Sequence, residues 1–596
     1  MSIYFLAVDS RQRLEALKEL DAADFQNTHL VKPRLDSHIS SSARNCFSID
    51  EECDASSMRD GLYYDGVANL GPRFIDVQRI LQDRPSDIVS YSQSLRGSFM
   101  IAHHNRIDNS IDIVVDPLSM YPLFIYQQSG LFACSNNIFA LVTCLQRCGI
   151  ETSRSSRLFA LEGTFGNAIS DFTSYQSITL LPPASRVSIS GQNVATIFPQ
   201  RELSTYFVSD DSYTDLLDRA EVELRDNIRA CLDGPFKYRI ADLTGGMDSR
   251  LVLAVILAEA STDNFLFATG GSYPTPDVAV ADVLREKFSL TSGTDLYERL
   301  YSLADDPVAS LCAQLRATDA CYTHTGEMLI GTSRRLDIAH IGGGVAETFR
   351  GGIMPAPALA GDTLLHLLKK VDRRTVLTDK EREQQRNQIA SRFKFYRRGG
   401  VPESALGDAL YLFERNRYHF GFIWRARNLK RTNFQPLYSP ASILAAQKLS
   451  TDLKAANKVG FDLMSRFSSS LVEIPFAEKR WNPVVYRDDP SMNHLSTVDS
   501  VTRDSPPPRA SFRHKSLFAP LKTSRLAGGG RKSNSTIAFQ DKLHEFMANV
   551  AAPSPFTRKG ILNLARKNEK VLRPNERRQI CQILAACLWL SGAVDS

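Results

Sequence analysis

The sequence predicts a mixed α/β protein in two parts, a strand-and-turn first third followed by strands and helices that alternate. Three observations carry this. Residues before about 205 form short apolar runs broken by polar or glycine-bearing turns. From about 210 strand-like and helix-like runs alternate, a pattern that needs crossover connections and so a parallel sheet. The 596 residues also exceed what one core holds.

The elements follow in order. Gly97–His104, Ile111–Val115, Pro122–Tyr126 and Leu131–Cys134 read as strands. Ile138–Leu145 reads as a helix, and Ser177–Ile189 returns to strand around Pro182 and Pro183. Tyr213–Cys231 is amphipathic at helical spacing. The apolar-basic run Phe236–Ile240 then enters a glycine turn, and Leu251–Ala258 is a helical run. Phe265–Thr269 and Asp337–Ile341 are further strands, with a helix at Ala279–Phe288 between them. Residues 400–470 read as mostly helical, and two helices are expected near 537–550 and 574–591. The stretch 487–536, rich in Ser, Pro, Gly, Arg and Lys, reads as a flexible basic segment. Its Arg509, Arg513, Lys515, Lys522, Arg525, Arg531 and Lys532 suit an acidic peptide or nucleic acid, though a solvated loop, which needs no partner, is the preferred reading.

Composition narrows the function classes. A formal charge of +5 is small for this length and argues against nucleic acid as partner. Ten cysteines are scattered without a CxxC pair, which favours buried thiols over zinc and a reducing compartment. No apolar run reaches membrane-spanning length and no signal peptide is legible, so a cytoplasmic protein is expected.

The most informative stretch is Ala241-Asp-Leu-Thr-Gly-Gly-Met-Asp-Ser-Arg250. Gly245 and Gly246 let backbone approach an anion, and Thr244 and Ser249 add hydroxyls. The following helix aims its free N–H groups at the same spot. Asp248 places a carboxylate there, able to hold Mg²⁺ against phosphate oxygens. The string resembles the pyrophosphate loop Ser-Gly-Gly-x-Asp-Ser of the ATP pyrophosphatase families and lacks Walker spacing.

The order of motifs resembles the asparagine synthetase B family. Gly97-Ser-Phe99, Asp116–Phe124 and Phe132-Ala-Cys-Ser135 match its N-terminal signature, and Ser177–Arg186 its Ile-x-x-Leu-Pro-Pro stretch. The resemblance implies an Ntn-type αββα sandwich over 1–205. It implies an α/β ATP-pyrophosphatase domain with added C-terminal helices over 206–596. It also implies ATP and Mg²⁺ as cofactors.

Departures shape the expected chemistry. A working glutaminase in this family has a cysteine after Met1; here position 2 is Ser, and the family's Arg-Gly-Pro-Asp-Gly stretch has no counterpart. The N-terminal part therefore reads as structural, with the nitrogen coming from a substrate amine or free ammonia. Ile341–Gly352 resembles the family's Ser-Gly-x-Gly-x-Asp-Glu-x-Phe-Gly-Gly loop, but Ala346 replaces its metal-binding Asp. Gly343 stands where relatives place a catalytic Glu or Tyr, which leaves the base unidentified. Glu347 is the candidate to share the metal with Asp248.

Glu414–Gly421 and Phe434–Pro440 resemble the family's arginine-bearing helix and Arg-x-Pro-Phe-Leu-Asp turn. Arg415 and Arg417 are candidates to face a carboxylate or phosphate, and solvated arginines on an exposed helix are the alternative. His419 is a candidate base on the same face as Arg415. Lys479, with Arg480 its competitor, falls where the family keeps a transition-state lysine. Leu243, Thr244, Gly245, Gly246, Asp248, Ser249, Thr269 and Gly342 are expected around the nucleotide.

The function implied is an AMP-forming ligase that adenylates a carboxylate and couples it to an amine. Its missing nucleophile resembles the specialised branch, lasso-peptide macrolactam cyclases and β-lactam synthetases. A precursor peptide, with proteins that deliver and trim it, is the expected partner. Amidation of a small metabolite, and a non-catalytic scaffold, are the alternatives.

Overall fold

The computed structural model describes residues 3–9, 13–20, 24, 33–41, 44–51, 58–59, 61–105, 107–128, 130–190, 192, 194–270, 275–296, 306–323, 337–350, 360–428, 431–477, 480–496, 539–547, 554–567 and 574–594. Among the described residues the fold is mixed α/β with three sheets, one of them parallel.

Two antiparallel sheets come from the first third. One runs in space Thr179–Leu180, Phe124–Gln128, Leu131–Ser135, Ile3–Asp9, Arg44–Glu51, Pro33–Ser41. The other runs Ala195–Pro199, Ser185–Ile189, Ser110–Val115, Arg96–Asn105, Leu62–Leu70, Met58–Arg59. Side-chain alternation sorts their faces. Tyr4, Leu6 and Val8 meet Met100, Ile113 and Val187 between the sheets. Ile3, Phe5 and Ala7 point the other way, to the helices Ile138–Arg147 and Arg157–Phe165. Phe99, Ile101 and Val114 pack outward on Ile80 and Ile88 of two short helices. The layers are helix, sheet, sheet, helix.

The third sheet orders its strands Leu266–Ala268, Tyr238–Asp242, Ile338–Ile341, Thr432–Phe434, every neighbouring pair parallel. Helix Tyr213–Asp233 starts at a capping box made by Ser212 and Asp215. It shares one apolar core with helices Met247–Glu259 and Lys458–Phe467. The strands expected at 236–240, 265–269 and 337–341 are present within a residue or two at their ends.

One apolar cluster takes residues from both ends of the chain. Helix Pro574–Leu590 packs on Arg157–Phe165, and its Trp589 is fully buried edge-on to Phe139 and Tyr175. The indole N–H donates to Ser174 O at 2.9 Å.

The helical stretch from Leu406 to Asn428 differs from a plain α-helix. Its middle, Tyr411–Gly421, widens to i→i+5 bonding. Gly421 sits there because any Cβ would overlap the carbonyl of Met120. Arg417 is neither solvated nor free for a ligand: it is buried, pairing with Asp171 at 2.7 Å and donating to Leu181 O at 2.9 Å. Arg392 joins the same Asp171 at 2.8 Å and Glu414 at 2.8 Å. A buried charge needs such partners, and this network fixes the wide helix against the sandwich.

Of the basic segment expected at 487–536, residues 487–496 are described, with a 3₁₀ turn at Pro490–Ser496. Among the described residues no helix is long and apolar enough to cross a membrane. Cys134, Cys144, Cys148, Cys231, Cys312, Cys321, Cys581 and Cys587 are buried.

Candidate nucleotide site

Strand Tyr238–Asp242 ends at Asp242, the chain turns through Leu243–Gly246, and helix Met247–Glu259 begins. Thr244 and Ser249 close the turn from within. Their hydroxyls lie 2.8 Å apart, the Thr244 amide donates to Ser249 Oγ at 3.2 Å, and the Gly246 amide to Thr244 Oγ1 at 3.1 Å. No side chain caps the helix start at Gly246, so its first amides are left to a ligand or water. The Gly245 amide donates to the Asp277 carboxylate at 2.9 Å. An anionic oxygen thus already occupies this amide, the behaviour of an anion-binding loop. A Cβ on Gly245 would lie 2.5 Å from Ala477 Cβ, so only glycine lets the 475–477 segment close on the loop.

That segment is held by a residue whose role was not legible in the sequence. Arg250 is completely buried and donates to the carbonyls of Ile474 and Pro475, the latter at 2.8 Å. Its guanidinium stacks 4.0 Å over Phe476. Burial pushes its pKa down to about 9. Arg250 therefore straps the segment leading to Lys479 onto the loop's own helix. Lys479 itself lies outside the described residues.

The glycine run 342–344 forms the facing wall. A Cβ at Gly343 would fall 2.9 Å from Asp248 Cβ, 3.0 Å from its carbonyl carbon and 3.1 Å from Ser249 N. The backbone here leans directly on the first helical turn, and no side chain fits between them. Gly344 donates to Gln435 Oε1 at 3.0 Å, and Gly342 to Phe434 O at 3.1 Å. Val345 follows with φ 74, a strained value for a β-branched residue.

The strained turn brings Glu347 round toward Asp248. Both carboxylates reach Arg350 Nη2, at 2.9 Å from Asp248 and 3.6 Å from Glu347. Two carboxylates already share one cation, and their hard oxygens suit Mg²⁺. Among the described residues no group of three or more His, Cys, Asp or Glu could hold a metal.

Beneath the loop runs a relay across three adjacent parallel strands. Asp242 Oδ1 lies 2.8 Å from His340 Nε2, and His340 Nδ1 is 3.2 Å from Asn433 Oδ1. Asn433 in turn donates to Asn428 Oδ1 at 2.9 Å. Burial would raise the Asp242 carboxyl, but His340, Arg427 and Arg431 hold it below its ordinary value. Burial keeps His340 below the usual imidazole value.

Thr269 donates to Leu243 O at 2.7 Å, and the Leu243 amide donates to Ala268 O at 2.7 Å, so both brace the loop's entry. Leu243, Thr244, Gly245, Gly246, Asp248, Ser249, Thr269, Gly342 and Glu347 thus converge on one end of the sheet. Arg415 is placed elsewhere, its Nη1 donating to Gly166 O at 3.3 Å among the helices behind the sandwich. His419 contacts the Tyr322 hydroxyl through Nδ1.

No protein-family model matches this chain, and no curated protein does. Among solved structures it is similar to a glutamine phosphoribosylpyrophosphate amidotransferase from B. subtilis complexed with ADP and GMP. The match has 8% identity and a TM-score of 0.21, covering 62% of this chain and 89% of that one. A likeness so slight carries no argument about site or activity.

Proposed function

We propose that the chain is an ATP-dependent, AMP-forming carbon–nitrogen ligase, with an Ntn-type sandwich at 1–205 and an ATP-pyrophosphatase domain at 206–596. The observation that supports this most is the loop Thr244–Ser249. It combines an uncapped helix start, an amide already taken by a carboxylate, and two acidic side chains sharing a cation. The β- and γ-phosphates of ATP would lie on the loop amides, with Thr244 and Ser249 hydroxyls beside them. Mg²⁺, held by Asp248 and Glu347, would offset phosphate charge.

A substrate carboxylate oxygen attacks the α-phosphorus, forming the acyl–O–P bond as pyrophosphate leaves. An amine then attacks the acyl carbon, loses a proton and displaces AMP, leaving an amide. The chain's own share is orientation and neutralisation of charge by helix amides, Arg350 and the strap carrying Lys479. The choice of a precursor-peptide carboxylate and macrolactam closure rests on the sequence resemblance; small-metabolite amidation shares every step.

ATP–pyrophosphate exchange tests this reading, with wild type and Asp248→Ala supplied with pools of peptides or of small carboxylates. Exchange dependent on one pool, and reduced about 100-fold in the variant, is expected. No exchange with any pool, and no ATP binding by calorimetry, would leave a non-catalytic scaffold.

A further inference from the structure

Asp248 and Glu347 are bridged by a cation of the chain's own. Arg350 Nη2 lies 2.9 Å from Asp248 Oδ2 and 3.6 Å from Glu347 Oε1. Glu347 and Arg350 lie three residues apart on the 3₁₀ turn Ala346–Arg350, and Asp248 comes from the first turn of helix Met247–Glu259. The guanidinium therefore ties two separate segments together through the pair of carboxylates. None of the three groups is closed to water, and the Arg350 side chain keeps 24% of its surface exposed.

A divalent cation bridging the same carboxylates would need the Asp248 oxygen that Arg350 holds. At that spacing a dication and a guanidinium repel, so the two cations exclude one another. The Gly343 backbone packs against Asp248 Cβ and Ser249 N, which fixes the base of the carboxylate. The long, exposed Arg350 side chain is the part free to move, and an ion pair open to water is weakly held. The same loop shows the reverse exchange at Gly245, whose amide donates to Asp277 Oδ1 at 2.9 Å. An arginine stands where a metal ion fits, and an aspartate where a phosphate oxygen fits.

We propose that Arg350 is a displaceable substitute for the divalent cation, so that metal enters the Asp248–Glu347 pair only by expelling the guanidinium. This rests on the metal assignment of the ligase reading and adds to it a built-in brake on metal binding without nucleotide. Once displaced, the guanidinium remains beside the loop, where phosphate oxygens can accept from it.

Mn²⁺ is the probe, titrated into the full chain without nucleotide and followed by electron paramagnetic resonance of the free ion. Arg350→Met should bind it at least about tenfold more tightly than wild type. Arg350→Lys, which keeps the charge, should bind it more weakly than Arg350→Met. Adding Glu347→Gln to Arg350→Met should abolish the gain, which assigns the ion to this carboxylate pair. A further arm needs no variant: saturating Mn²⁺ should speed modification of wild-type Arg350 by phenylglyoxal, read by mass spectrometry. Equal Mn²⁺ affinity in wild type and Arg350→Met, a gain that survives Glu347→Gln, or an Arg350 modification rate unmoved by Mn²⁺ would each overturn the proposal. A wild type that exchanges pyrophosphate but gives any of these results loses the Arg350 inference alone, whereas a wild type without exchange loses the ligase reading.

Discussion

The glycine loop Thr244–Ser249 and the core of the antiparallel sandwich both concentrate polar side chains, and they use them in opposite ways. In the sandwich Tyr4 N–H donates to Asn136 Oδ1 at 2.8 Å. Asn136 Nδ2 lies 3.1 Å from the Tyr63 hydroxyl and 2.7 Å from that of Tyr121, which donates to Asp65. Tyr4, Tyr63 and Asn136 are essentially fully buried. Their polar groups are matched to one another, which makes a rigid, specific core. At the loop, by contrast, Asp248 and Glu347 keep 30% and 37% of their side-chain surface exposed, and the helix start has no side-chain cap. A network that satisfies itself holds structure, while one left open to solvent can take a ligand.

The widest test of that contrast is Gly343→Glu, which adds a side chain where the glycine wall leans on the loop helix. Its Cβ must displace Asp248 and Ser249, and a loss of about 100-fold in pyrophosphate exchange is expected. Retained or improved exchange would show that the wall can move.

Arg250→Met comes next. It strips donors from the buried carbonyls of Ile474 and Pro475, so a loss of about 3 kcal/mol is expected in denaturant unfolding. Exchange should fall with it, because the strap beside Gly245 loosens.

On the sandwich side Asn136→Ala should cost about 2 kcal/mol while exchange stays within about twofold of wild type. A parallel loss of exchange would erase the distinction between the two regions.

Glu162 sharpens the comparison through pH. Burial raises its carboxyl from 4.5 to about 8, against the pull of Thr323's amide and hydroxyl. Between those values the folded protein holds a proton that the unfolded chain has released. Stability therefore falls as pH rises from about 4.5 to about 8, by up to about 1.4 kcal/mol per unit from this group. Below that window the contribution is fully present. Glu162→Gln should flatten the slope, read as unfolding free energy against pH.

The smallest effect is expected from Asp277→Asn. The Gly245 amide loses an anionic competitor, so ATP affinity by calorimetry should rise about threefold. Unchanged or weaker affinity would mean Asp277 orders the loop rather than competing for it.

Much of the loop side was legible because its signals are local. A strand, two glycines, an acidic residue and a helical run occur within about twenty residues, and each physical requirement is written in adjacent positions. The relay Asp242–His340–Asn433 was not legible. It depends on which strands become neighbours, and those residues are scattered over nearly two hundred positions. Arg417 reads from the sequence as facing a ligand or solvent because helical spacing says nothing about Asp171, which lies in a loop 246 residues away in sequence. The widened turn Tyr411–Gly421 has the same apolar period as an ordinary helix, so only packing against Met120 reveals it. Lys479 lies outside the described residues, and the strap that leads to it became visible only through Arg250.

The contact between Gly343 and the first turn of the loop helix also bears on how such a site changes over generations. One or two nucleotide changes would install a glutamate at that codon, so the genetic distance to a side-chain base is short. The structural distance is long, because the helix carrying Asp248 and Ser249 has settled into the space the new side chain would need. Substitutions that first reopen that gap would loosen the loop and confer no benefit of their own. A lineage starting from this backbone therefore gains a new acidic side chain on another wall more readily than at position 343.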